Sequence, residues 1–214
     1  EIGSRLSRRR KGGAVSRLVV VGNGMAGMAC VEQILKHGPK FRITVFGDET
    51  HVNYNRVMLS SVLAGEKSAD EIVIHTREWY ARNEIDLRVG VRILDVDPTR
   101  KFVIGDDGST TPYDRLLIAT GSSAWMPPIA GLDKDGVFAF RTLDDTRALL
   151  ERSRPGCRAV VIGGGLLGLE AARGLQVQGC DVTVVHLANT LMERQLDPTG
   201  GMYLARKVEN LGVR

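Results

Sequence analysis

Three glycines at the end of an apolar run constrain this chain more than any other feature. Leu18 to Gly27 reads Leu-Val-Val-Val-Gly-Asn-Gly-Met-Ala-Gly. The apolar, mostly β-branched residues favour a buried strand. Gly22, Gly24 and Gly27 then lead into a helix-compatible stretch, Met25 to His37. A strand, a tight turn and a helix opening make a dinucleotide-binding βα unit. The first glycine permits the turn, the second lets the backbone approach a pyrophosphate, and the third lets helix pack on strand. The pyrophosphate sits against unpaired N–H groups at the helix N-terminus, where the dipole favours an anion. The expected contacts are Gly22, Gly24, Met25, Ala26 and Gly27.

The pattern recurs about 140 residues later. Ala159 to Glu170 reads Ala-Val-Val-Ile-Gly-Gly-Gly-Leu-Leu-Gly-Leu-Glu. Gly163, Gly165, Leu166, Leu167 and Gly168 are the matching contacts. Two copies in one chain offer seats for two dinucleotides. The expected fold is therefore α/β, with two Rossmann-like dinucleotide-binding units.

Bulk properties narrow the class further. The 214 residues suffice for one or two domains, and the raised glycine content of 25 fits several tight βα turns. The net charge of +4 is uneven. Six cations against Glu1 give residues 1–17 a charge of +5, which leaves the rest at −1. Residues 1–16 read as a basic, disordered arm, and no nucleic-acid partner is expected. The longest apolar runs are too short to span a bilayer, and no segment has signal-peptide character, so a cytoplasmic location without a membrane partner is expected. Cys30, Cys157 and Cys180 lie far apart and form no Cys-x-x-Cys pair. All three read as reduced core thiols, which leaves no redox dithiol and no local metal knuckle.

Along the chain, Arg17 to Val21 reads as the first strand and Met25 to His37 as the first helix, closed by His37-Gly38-Pro39. Arg42 to Phe46 is the second strand. The acid that bonds an adenosine ribose is expected at its end, and Glu49 or Asp48 can serve, or either can be a solvated turn acid. Arg56 lies in Asn53 to Ser61, a loop becoming a short helix. It suits a phosphate or a flavin edge, or is an ordinary surface arginine. His51 and His75 have no ligand-like partner at helical spacing, so no metal is expected. Trp79 and Tyr80 read as core on a small helix from Thr76 to Asn83. Short strands follow at Asp86–Val89, Arg92–Val96 and Lys101–Ile104, with a hairpin turn at Asp106 to Ser109. Tyr113 to Gly121 reads as a buried strand ending in the turn Ala119-Thr120-Gly121. Ser122 to Gly131 has the composition of an interdomain linker.

In the second half, Asp144–Glu151 is helical, Arg158–Ile162 a strand, Leu166–Gln178 a helix stopped by Gly179, and Asp181–Val185 a strand. Glu170 either reaches a nicotinamide carboxamide or complements its helix dipole. His186 stands where the ribose-binding acid is expected. A neutral imidazole bonds a ribose hydroxyl and a protonated one tolerates a 2′-phosphate, which leaves NADH against NADPH open. Only Leu191 to Arg214 follows, so the second unit reads as truncated and the chain as part of a longer polypeptide.

The two fingerprints with Ala119-Thr120-Gly121 between them resemble the pyridine nucleotide-disulfide reductase family of two-dinucleotide flavoproteins. The resemblance implies FAD in a domain over 17–143 and NAD(P)H in an incomplete domain over 144–214. Val52 to Ser60 and Thr190 to Asp197, with His186 before the second segment, are similar to the large-subunit family of NAD(P)H-dependent nitrite reductases. That resemblance implies a cytoplasmic enzyme that reduces nitrite to ammonia. Electrons would leave FAD for a [4Fe-4S] centre and sirohaem in a part not present here. A small subunit and a homodimer are possible partners. Hydride transfer between the cofactors requires no side-chain acid or base, so no catalytic residue is expected. The alternatives are a stand-alone NADH:ferredoxin or rubredoxin reductase, and a non-catalytic flavin- or nucleotide-binding module.

Overall fold

The computed structural model describes residues 15–214. The basic arm expected over 1–16 thus lies almost wholly outside the described residues. In chain order the elements are β1 (Ser16–Val21), α1 (Met25–His37), β2 (Phe41–Gly47), α2 (Leu59–Leu63), α3 (Arg77–Arg82), β3 (Asp86–Val89), β4 (Ile93–Asp97), β5 (Phe102–Gly105), β6 (Thr110–Pro112), β7 (Arg115–Ile118), α4 (Leu143–Arg152), β8 (Arg158–Ile162), α5 (Leu166–Val177), β9 (Asp181–Val185) and α6 (Pro198–Asn210). Short 3-10 turns occupy Arg56–Met58 and Asp70–Ile72. The fold class is α/β, as the glycine patterns predict.

By contact density the chain divides into two compact units, one holding residues 15–53 and 75–121, the other 54–74 and 122–214. In the first unit β3, β2, β1 and β7 form a parallel sheet in that order. Strands buried on both faces should be continuously apolar, and β1 is, with Leu18 to Val21 all buried. Leu18, Val20, Ile43 and Val45 pack with Met28 and Val31 of α1 and with Tyr80. Val19, Val21 and Phe46 pack with Val103 and Tyr113 on the antiparallel β4-β5-β6 side. Strand β6 has no counterpart in the sequence reading. It completes the hairpin that Asp106 to Ser109 turns.

In the second unit β8 and β9 pair in parallel, with Arg158 opposite Asp181 and Ile162 opposite Val185. Ala171, Ala172 and Leu175 of α5 bury against Val182 and Leu63. Tyr54, Leu59, Val62, Ile72 and Leu143 form a further cluster. Helix α6 was not foreseen, although Asp197 caps it through Gly200 N–H at 2.7 Å and Pro198 takes the first helical position.

Gly38 closes α1 as expected, in an extended conformation (φ −91°, ψ 177°). Pro39 disfavours a helical conformation at the residue before it, which is sufficient to stop the helix. The cysteines are not three separate thiols. Cys157 and Cys180 are joined in a disulfide with Cα atoms 4.6 Å apart, and Cys30 is free. Each cysteine immediately precedes a strand, and the parallel register makes them neighbours across 23 residues of sequence. The pair lies at the amino ends of β8 and β9. Open α/β sheets bind ligands at the carboxyl ends.

Candidate functional site

The two glycine-rich turns repeat one geometry. Gly22 and Gly163 adopt φ +114° and +123°, a region that favours glycine. Gly24 and Gly165 cap α1 and α5 with extended backbones, and neither end has a side-chain cap. A Cβ on either residue would enter open space. Gly27 and Gly168 pack against the first glycine of their own turn, so a Cβ there would run into the carbonyl oxygen of Gly22 or Gly163. Met25 is 38 % exposed, and Leu166 and Leu167 are 57 % and 51 % exposed, so the first turn of each helix faces outward. Two uncapped helix N-termini, each reached through a residue without a side chain, fit two pyrophosphates.

In the first unit Ala119 joins this turn. Its N–H donates to Val21 O at 2.8 Å, and its carbonyl fills the space beside Gly22 where a Cβ would stand. Thr120 and Gly121 follow, exposed, with Gly121 at φ +73°. At the end of β2, Asp48 pairs with Arg92 at 3.3 Å, while Glu49 is half-buried and its carbonyl accepts from Gly90 N–H. Arg56 belongs to the second unit. Its Nη1 donates to Arg141 O at 2.6 Å, and its guanidinium lies over the Tyr54 ring.

Behind the first turn lies a polar network that the sequence reading missed. Asn23 Oδ1 accepts from Tyr80 Oη at 2.7 Å, and Asn23 O accepts from Asn53 Nδ2 at 3.0 Å. Asn53 Oδ1 meets His75 Nδ1 at 3.0 Å, and His75 Nε2 meets Glu32 Oε1 at 2.6 Å. Asn53, His75 and Tyr80 are all buried. Burial pushes the Tyr80 hydroxyl up to about 12, against the opposing effect of its bonds to Asn53 and Asn23, so it stays a donor. The sequence presents His75 only as a metal-ligand candidate without a partner at helical spacing. The one signal of this network in the sequence is an asparagine inside the Gly-Asn-Gly turn.

In the second unit His186 follows β9, as expected, but both of its ring nitrogens are engaged. Gly164 N–H donates to Nδ1 at 3.0 Å, and Nε2 lies 2.9 Å from Glu193 Oε2. Glu193 was not foreseen. Glu170 lies half-buried on α5, one turn past the glycines.

Residues 16–214 match the family model of pyridine nucleotide-disulphide oxidoreductases. The chain belongs to that family. Among its relatives, a nitrite reductase [NAD(P)H] of Bacillus subtilis (strain 168) is 49 % identical over 198 residues, 92 % of this chain and 25 % of that protein. The assimilatory nitrate reductase electron transfer subunit of the same organism is 46 % identical over 198 residues, 92 % of this chain and 26 % of that protein. The chain thus spans about a quarter of the length of these relatives. Among solved structures, the covalent putidaredoxin reductase–putidaredoxin complex superposes with a TM-score of 0.87 at 31 % identity, over 94 % of this chain and 49 % of that one. The family is named for a disulphide, but the Cys157–Cys180 pair lies at the ends of β8 and β9 opposite to the second glycine turn. No helix among the described residues is long and apolar enough to cross a membrane.

Proposed function

We propose that the chain is the electron-entry part of an NAD(P)H-dependent nitrite reductase, holding FAD at the first glycine turn and NAD(P)H at the second. The observation that carries this reading is the repeated geometry, a left-handed first glycine and an uncapped helix N-terminus behind a glycine open to space. When bound, the two groups supply hydride transfer from nicotinamide to flavin.

The chain's own residues bind and orient. Gly22 and Gly27 shape the first seat, Ala119 closes its side, and the backbone N–H groups of Met25 and Ala26 meet the anion. Gly163, Gly165 and Gly168, with the N–H groups of Leu166 and Leu167, do the same at the second. Glu49 is the ribose acid of the first seat, and Thr120-Gly121 supply polar contacts to the flavin. Glu170 faces the nicotinamide end of the second seat. No side chain is assigned a proton-transfer role.

Nitrite as the acceptor is supported by the relatives, whose names specify nitrite reduction and electron transfer in nitrate assimilation. Among the described residues no three His, Cys, Asp or Glu side chains gather as a metal-ligand cluster. The proposal assigns sirohaem and an iron–sulfur centre to no described residue. Redox proteins or domains are the partner class, and a small subunit, a homodimer and a cytoplasmic location belong to the same proposal.

The test is an anaerobic absorption spectrum of the full-length natural protein, taken before NADH, after NADH, and after nitrite. Flavin bands that bleach with NADH and return with nitrite, beside sirohaem bands, are the expected result. Flavin bands that bleach but ignore nitrite overturn the assignment of acceptor and favour a ferredoxin-type reductase. No flavin, or no response to either nicotinamide, overturns the reading as a whole.

A further inference from the structure

The second strand of the nicotinamide unit ends on a histidine, and the structure shows what that histidine holds. His186 Nδ1 accepts from Gly164 N–H at 3.0 Å. A nitrogen that accepts carries no proton, which leaves Nε2 as the donor of the ring. Its hydrogen points at Glu193 Oε2, 2.9 Å away. The imidazole side chain is 15 % exposed and the carboxylate side chain 41 %, so the carboxylate is the group presented to solvent.

The segment between the two residues is fixed to the glycine turn. Met192 N–H donates to Gly164 O at 3.0 Å, and Met192 adopts φ +56°. Leu191 and His186 lie over Gly164, where a Cβ would come within 2.5 Å of Leu191 Cδ2 and 2.8 Å of His186 Cγ. Glu193 is thus anchored to the turn through His186 on one side and Met192 on the other. Its own backbone N–H first, then the His186 bond and the nearby His186 and Arg194, hold its carboxyl below the ordinary glutamate value. It is anionic at neutral pH.

We propose that Glu193, positioned by His186, is the acid that reads the adenosine ribose of the nicotinamide cofactor and selects NADH over NADPH. The inference rests on the reading of the second glycine turn as the nicotinamide seat. An acid is needed where the second strand of such a unit ends, because a carboxylate accepts from a 2′-hydroxyl and repels a 2′-phosphate. The strand end here lacks one. The downstream loop delivers a carboxylate to the same place, one imidazole ring away. Glu193 is the specificity residue and His186 a positioning residue.

The experiment is equilibrium binding of NAD⁺ and NADP⁺ to the full-length, FAD-loaded protein, read as the ratio of the two dissociation constants. The natural protein is expected to prefer NAD⁺. Glu193→Gln should shrink that preference by roughly tenfold or more, as expected for removing one like charge from beside a phosphate. His186→Asn keeps an acceptor for Gly164 N–H but has no Nε2–H, and should shift the ratio in the same direction. Adding His186→Glu to Glu193→Gln returns an acid to the strand end and should restore the preference. A natural protein that prefers NADP⁺, or a Glu193→Gln ratio within about twofold of the natural one, overturns the inference while the nicotinamide seat stands. A natural protein that binds neither dinucleotide overturns the seat itself.

Discussion

Asn53→Ala should loosen the first glycine turn without touching it directly. Asn53 is 1 % exposed, and its amide spans two groups. Oδ1 meets His75 Nδ1, and Nδ2 donates to Asn23 O in the turn, both at 3.0 Å. The substitution removes both bonds, each worth about 1 kcal/mol net, and leaves a buried ring nitrogen unpaired at a further cost of about 1–3 kcal/mol. The local opening free energy of the turn should therefore fall by at least about 3 kcal/mol, or at least roughly 100-fold in the opening equilibrium. Amide hydrogen exchange of the full-length protein, followed by mass spectrometry over Val20 to Met28, reads that change. Peptides covering β8 and α5 serve as the internal control, because the network lies within the first unit. Protection over Val20 to Met28 should drop by at least about two orders of magnitude while the control stays constant. A change within about threefold over the turn would refute the claim that the network holds it.

The other predictions concern single positions. Gly22→Ala should cost about 2–5 kcal/mol in urea denaturation, because φ +114° is strained for alanine and the Cβ meets the Ala119 carbonyl. Gly24→Ala, with extended backbone and open space, should cost no more than about 1 kcal/mol. The Cys157–Cys180 bond should appear as a cross-linked peptide in a non-reducing digest. Its 23-residue separation predicts that Cys157→Ser loses about 3 kcal/mol, read by urea denaturation. Arg17 holds Asp114 below the ordinary aspartate value, through its side chain first and its backbone N–H second. A depressed carboxylate stabilises above its unfolded value and stops doing so as pH falls through its folded one. The stability gap between the natural protein and Asp114→Asn should therefore be full at pH 7 and close in strong acid, in a pH series of unfolding midpoints.

What could be read from the sequence was whatever local chemistry writes down. Both glycine turns, with β1, α1, β8 and α5, are legible because a β-branched run meets glycines at fixed offsets, and the backbone demands of the turn leave few other residues possible. Helix α6 goes unread although Asp197-Pro198 marks its start, because that signal stands outside the glycine pattern. The rest depends on pairing across the chain. Cys157 and Cys180 look unrelated until the parallel register sets their strands side by side. His75 reads as a lone histidine because Glu32 and Asn53 lie 43 and 22 residues away. Glu193 is hidden for the same reason. Its partner His186 precedes it by seven residues, across a loop with no regular period.

The central claim is that the two turns seat two different dinucleotides. Gly24→Val and Gly165→Val test it directly, because each places a side chain in open space that only a ligand would need. The measurement is bound FAD per chain and NADH titration of each full-length variant. The account predicts that Gly24→Val loses FAD and that Gly165→Val keeps FAD but loses NADH binding. FAD retained in Gly24→Val, or NADH binding undiminished in Gly165→Val, would contradict it.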